Sequence, residues 1–178
     1  MGPMLDAAGQ SFELRPFSGS QTLANLTETR QGVLHVTDDV GIFARAAIGQ
    51  RDPLPEMSDA SIVNGKVLSN TCRWYEFNVT FIQATTARAS IQCEIVHAGR
   101  KRDFFGFNRA KAMVIEAAIL ATRVDFLPLE EIYQQFENFE KVIAKTGGVD
   151  ELEAFETLRN YVDSCSSEVA PTPPKPTL

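Results

Sequence analysis

The sequence predicts an α+β protein, with antiparallel strands first and helices last, and two patterns carry that expectation. From Cys72 to Ala84 and from Ala87 to His97, apolar and polar residues alternate. A period of two with a short Thr/Ala connection means adjacent antiparallel strands with one wet face. After Phe107 the apolar spacing becomes helical and stays so to Tyr161. The expected architecture is a small barrel or sheet of antiparallel strands packed against a C-terminal helical hairpin or trio.

Each element follows from local chemistry. Phe12 and Leu14 mark a strand that ends at Pro16-Phe17, and Ser20 to Arg30 read as a short helix with Leu23 and Leu26 on one side. Gly32 ends that helix, and Gly32 to Thr37 (GVLHVT) is β-branched enough for a buried strand. Asp38-Asp39 then start a helix that Gly49 stops, and Gln50 to Asp59, with two prolines, is a loop. Gly65 to Asn70 is a further strand. In the next, Tyr75, Phe77, Val79 and Phe81 are expected on one face, with Glu76, Asn78 and Thr80 on the wet one. In the last, Ala89, Ile91, Cys93 and Ile95 are expected inside.

Among the helices, Ala110, Val114, Ala117, Ala118 and Ala121 form a small-residue stripe that admits a close neighbour. Pro128 opens a second helix whose apolar face is Leu129, Ile132, Phe136, Phe139 and Ile143, and Gly147-Gly148 closes it. A third runs from Asp150, an N-cap with Glu153 three residues on, to Tyr161. Residues 164–178 carry four prolines and are expected to be a disordered tail.

Composition narrows the function. A net charge of −6 over 178 residues argues against a nucleic-acid binder, which needs clustered cations for the phosphate backbone. Three cysteines (Cys72, Cys93, Cys165) without CxxC spacing and two histidines assemble no zinc signature, so no metal is expected and reduced cytoplasmic thiols are the default. No charged leader and no 18-residue apolar run suggest a membrane segment. Neither GxSxG, GxGxxG nor a Walker A run occurs.

The stretch FELRPFSGSQTLAN, Phe12 to Asn25, is the first candidate site. A strand that breaks into a Ser/Gly turn and then a helix start can hold a phosphate: backbone amides converge there, Gly19 allows close approach, Ser18, Ser20 and Thr22 add hydroxyl donors, and Arg15 adds charge. The same Ser20 also reads as an ordinary N-cap. A second candidate is the cluster Arg100, Lys101, Arg102, Arg109 and Lys111 around Phe104, Phe105 and Phe107, either an anion site with aromatic walls or a solvated basic loop. Arg109, Glu116 and Arg123 recur every seven residues, as a wet stripe or as a subunit contact. Asp38 and Asp39 read as helix caps rather than general bases.

The blocks RPFSGSQTLANL, GVLHVTDDVGIFARAAIG, CRWYEF and FFGFNRAKAMVIEAAILATR resemble an uncharacterised family, domain of unknown function four hundred and forty-seven (DUF447), over about Met1 to Tyr161. The resemblance implies an antiparallel split β-barrel of flavin-binding type over 1–105, a C-terminal α-helical region over 106–163, noncovalent FMN and a homodimer. In similar flavin reductases a Thr and an Asn three residues later sit at the cofactor phosphate, which implies that role for Thr22 and Asn25, with Arg15, Ser18 and Ser20 beside them. Relatives line the flavin ring with a segment like A-P-M-G-P. This chain starts inside that segment, which implies Met1 and Gly2 at the cofactor and a barrel lacking its first strand. The implied function is an FMN-dependent, oxidoreductase-like flavoprotein of unknown substrate, with no side chain required as catalytic acid or base. The alternative is a non-catalytic protein binding a flavin or another phosphorylated ligand, linked to pterin-dependent one-carbon metabolism.

Overall fold

The computed structural model of the chain describes residues 3–84 and 87–168. In chain order the elements are β1 (Met4–Leu5), β2 (Ser11–Leu14), α1 (Gln21–Thr29), β3 (Gln31–Val36), α2 (Val40–Ala47), β4 (Met57–Asp59), β5 (Lys66–Leu68), β6 (Arg73–Ala84), β7 (Ala89–Arg100), α3 (Arg109–Ala121), α4 (Leu129–Thr146) and α5 (Val149–Glu168). The fold is α+β, and the chain divides into two compact units. One comprises Met1–Asp38 with Pro55–Phe104, the other Asp39–Leu54 with Phe105–Leu178.

The first unit is a sheet. Its strands run in the order β1-β2-β7-β6-β3, all antiparallel, and β4 pairs with β5 in a separate ladder. Among the described residues these ladders leave the sheet open and do not close into a barrel. Phe12, Leu26, Phe77, Val79, Ala89, Ile91 and Cys93 form its core, with the Phe12 ring edge-on to Phe77 at 5.0 Å. Two large aromatics lie over glycines on neighbouring strands: a Cβ on Gly32 would meet Phe77 at 2.5 Å, and one on Gly99 would meet Trp74 at 2.1 Å. Those close approaches pin the register of β6 against β3 and β7.

Strand β6 departs from the expected alternation. Register shifts fall at Glu76/Phe77 and at Val79/Phe81. A bulge adds a residue and so turns the following side chains to the other face. Thr80 is the extra residue, so Phe81, expected inside, is exposed and Ile82 packs on the core; Glu76, ahead of both shifts and expected on the wet face, is fully buried. Burial alone would raise the Glu76 pKa. The amides of Ser61 (2.9 Å), Val63 (3.0 Å) and Ile62 (2.6 Å) and the Trp74 indole N–H (3.3 Å) donate to the carboxylate and outweigh it, lowering the pKa from 4.5 to about 2. Strand β4 also forms inside what the prolines mark as loop. His35 is half-buried, and burial together with the Lys101 charge lowers its pKa, so the neutral ring accepts the Leu68 N–H at Nε2, 3.1 Å away.

The second unit is helical. The alanine stripe of α3 is buried at every expected position and meets Ile132, Phe136 and Ile143 of α4 and Ala154, Phe155, Leu158 and Val162 of α5. Val40 and Ala44 of α2 join this core, so the apolar face of α2 is used by the helices. Helix α5 begins two residues earlier than expected. Glu151 rather than Glu153 reaches back to the helix start, accepting the Gly148 N–H at 2.7 Å. It also runs to Glu168, past residue 164 where the tail was expected to begin. The rest of that tail, 169–178, lies outside the described residues. No described helix is long and apolar enough to cross a membrane.

Candidate functional site

The strand-turn-helix at Phe12 to Asn25 is built as its chemistry requires. Strand β2 ends at Leu14, Phe17 forms an isolated bridge with Arg88, and the turn is tied to the start of β7 by Ser18 N–H to the Ala87 carbonyl (3.2 Å) and Ala89 N–H to the Pro16 carbonyl (3.0 Å). Gly19 then takes φ +82°, where L side chains are strained, with open space beside it. Ser20 caps α1, its Oγ accepting the Leu23 N–H at 3.3 Å. Among the described residues the amides of Gln21 and Thr22 find no protein acceptor, as befits the first turn of a helix.

Beside this turn lies a cleft of about 420 Å³ lined by Met4, Glu13, Leu14, Arg15, Pro16, Phe17, Thr22 and Arg88. Its size falls in the range of small-molecule sites, and its walls mix apolar surface with a few convergent polar groups. Arg15 Nε meets Glu13 Oε1 at 2.8 Å, with a second contact from Nη2 to Oε2 at 3.2 Å. Hydrogen bonds from Arg15 and from the Ser90 hydroxyl (2.7 Å) hold the Glu13 pKa below its ordinary value. Arg88 stacks its guanidinium 4.0 Å above the Phe17 ring and donates from Nη1 to the Arg15 carbonyl at 3.1 Å.

Of the residues singled out by sequence, Arg15 and Thr22 therefore line the cleft. Ser18 and Ser20 belong to the adjoining turn, and Asn25 lies one helical turn on, where its Oδ1 accepts from Gln21 Nε2 at 2.6 Å. Met1 and Gly2 lie outside the described residues. Arg88 was missed. It stands in a short connection with no motif of its own, and only the bridge to Phe17 shows what it faces.

The basic cluster is largely committed to ion pairs. In the sheet unit Arg100 meets Asp103 at 3.0 Å, and Arg102 pairs with Asp38. In the helical unit Lys111 meets the buried carboxylate of Glu151 at 2.7 Å, which places it in the helix packing, and Arg109 is exposed at the start of α3. Phe104, Phe105 and Phe107 are exposed rather than tucked into the core. Asp39 caps α2 through the Ile42 N–H at 3.2 Å, and Asp38 accepts from Cys72 Sγ at 3.6 Å in addition to Arg102.

Fold and cleft together define a class: an α+β protein whose antiparallel sheet carries a cationic, partly apolar cleft at a helix start. Residues 1–102 match the N-terminal domain of the protein of unknown function DUF447, and residues 108–160 match its second part. The chain belongs to the DUF447 family. In overall structure it is similar to an FMN-bound protein of that family from Methanosarcina mazei, with a TM-score of 0.76 at 22% identity over 90% of this chain and 85% of that one. More distant likenesses include a flavin reductase domain protein from Arthrobacter (TM-score 0.49, 11% identity, 57% of this chain and 66% of that one). Another is flavoredoxin from Methanosarcina acetivorans (TM-score 0.48, 10% identity, 58% and 59%). A comparison with curated proteins gives no match.

Proposed function

We propose that this protein is an FMN-binding flavoprotein of oxidoreductase type, its sheet unit working as a flavin-binding split barrel in a cytoplasmic homodimer. The observation that carries the reading is the cleft itself: Arg15, Arg88 and Thr22 line it together with the apolar Met4, Leu14, Pro16 and Phe17, and the open turn at Gly19 leads from it into the first amides of α1. Those residues fit an amphipathic ligand with a phosphate at one end and a flat ring at the other. The FMN bound by the Methanosarcina mazei family member supports that ligand.

In this reading the phosphate is held by the Ser18–Gly19–Ser20 turn, Thr22 and the cleft cations, and the apolar wall takes ligand surface out of water. The Ser20 hydroxyl accepts from Leu23 as a cap and so keeps its own proton to donate. When bound, the isoalloxazine supplies hydride or electron transfer, and the chain supplies position and charge. The test is the visible spectrum of the purified chain after incubation with excess FMN and desalting. Retained yellow colour at about one flavin per chain is expected, and a colourless protein overturns the reading. Oxidation of reduced nicotinamide by the loaded protein would then mark it as an enzyme, and tight flavin without turnover as a carrier or sensor.

A further inference from the structure

We infer that Glu13 is a positioning residue: with Ser90 it holds the Arg15 guanidinium so that its second edge selects a phosphorylated ligand over the dephosphorylated form. The inference rests on the flavin reading above and deepens it. A carboxylate lining a cleft that takes an anion looks misplaced, because it repels the ligand's charge. Its contacts give it another use. Glu13 pairs with Gln92 of β7, and Ser90, two residues along that strand, reaches the carboxylate on the diagonal. Glu13 Oε1 thereby accepts from the Ser90 hydroxyl at 2.7 Å and from Arg15 Nε at 2.8 Å, while Oε2 accepts from Arg15 Nη2 at 3.2 Å.

These contacts use one edge of the planar guanidinium, Nε with one N–H of Nη2, and so fix its plane. The other edge is Nη1 with the second N–H of Nη2, and among the described residues no acceptor meets it. The Arg15 side chain is 53% exposed and the Glu13 side chain 17%, so a ligand entering the cleft meets the cation before the carboxylate. Two N–H groups in one plane match two oxygens of a phosphate monoester, and a fork already fixed has little freedom to lose on binding. The pair as a unit carries little net charge. Arg15 therefore contributes direction, and the first amides of α1 contribute long-range attraction.

Calorimetric titration of the wild type, E13Q, S90A, R15A and R15K with FMN and with riboflavin tests this, with far-UV circular dichroism melts to confirm folding. Positioning and simple charge predict opposite signs for Glu13→Gln. Loss of a positioning carboxylate is expected to lower FMN affinity about 3- to 10-fold relative to riboflavin, and S90A to shift the ratio the same way by about two- to threefold. R15A is expected to lower it about 10- to 100-fold, and R15K, which keeps the charge without the fork, to recover less than half of that loss. Adding E13Q to R15A should cost the ratio nothing more. A tighter or unchanged FMN-to-riboflavin ratio in E13Q, full recovery in R15K, or a wild type that binds the two flavins equally overturns the inference alone. A wild type that binds neither overturns the flavin reading with it.

Discussion

Among the described residues each unit buries one glutamate fully enough to need partners, and the two carboxylates are used differently. In the sheet unit, Glu76 accepts from three consecutive loop amides and an indole, acting as a substitute backbone for residues 61–63. In the helical unit, Glu151 accepts from the amide at the start of its own helix and from Lys111 of α3. The helical core is otherwise apolar and close-packed, alanines against large side chains, and its regular backbone satisfies itself. A sheet with bulges and irregular connections leaves amides that something must satisfy. The difference teaches that burial of charge here follows backbone irregularity, and the cleft lies on the irregular side.

The comparison can be broken from its strongest point downward. Phe136→Ala should hollow the helical core and cost about 3–5 kcal/mol in chemical denaturation, with faster hydrogen exchange concentrated in α3, α4 and α5. Exchange spreading equally through β6 and β7 would show that the units do not open separately. Glu76→Gln should cost about 3 kcal/mol, because an amide cannot satisfy three donors and turns its own NH₂ toward them. This effect carries a pH signature. The folded pKa is depressed, so the carboxylate's contribution is complete above the ordinary 4.5 and fades as pH falls toward about 2. The variant should lose that part of the acid slope, and an unchanged slope would remove Glu76 from the account.

Effects on the cleft are smaller. Thr22→Val should weaken FMN binding by about 1.5–3 kcal/mol, the worth of one charge-assisted hydrogen bond, in a calorimetric titration. Unchanged affinity would take Thr22 out of the site. Ser20→Ala should cost about 1 kcal/mol of stability through the lost cap on α1, read from the denaturation midpoint. An effect confined to FMN affinity, with stability intact, would mean that the hydroxyl serves the ligand more than the helix.

The helical unit was the more legible in sequence. Its stripe of Ala110, Val114, Ala117, Ala118 and Ala121 is local and periodic, and every member is buried. The start of α5 slipped by two residues because two acidic residues at matching spacing competed for one role, and only tertiary packing with Lys111 favours Glu151. In the sheet unit the strand pairs were readable, but the bulge in β6 was not: an extra residue leaves no compositional mark, and it inverted Phe81 and Ile82. Glu76 looked like any polar residue on a wet face, since its backbone amide donors come from 13 to 15 residues upstream. For the candidate site, the turn at Gly19 and the cap at Ser20 were legible as local chemistry. The approach of Arg88 depends on the pairing of its segment with Phe17, so it was not, and the Glu13–Arg15 pair is a local contact that the reading of Arg15 as a phosphate neighbour passed over.

One consequence follows from Trp74, the single tryptophan of the chain, whose indole N–H rests on Glu76 and whose ring covers Gly99. Tryptophan emission excited selectively reads the sheet unit alone, while far-UV ellipticity is dominated by the helices. The chain therefore carries a built-in pair of independent spectroscopic channels, one per unit. A fluorescence melt that leads or lags the ellipticity melt would resolve two unfolding transitions in one unlabelled sample.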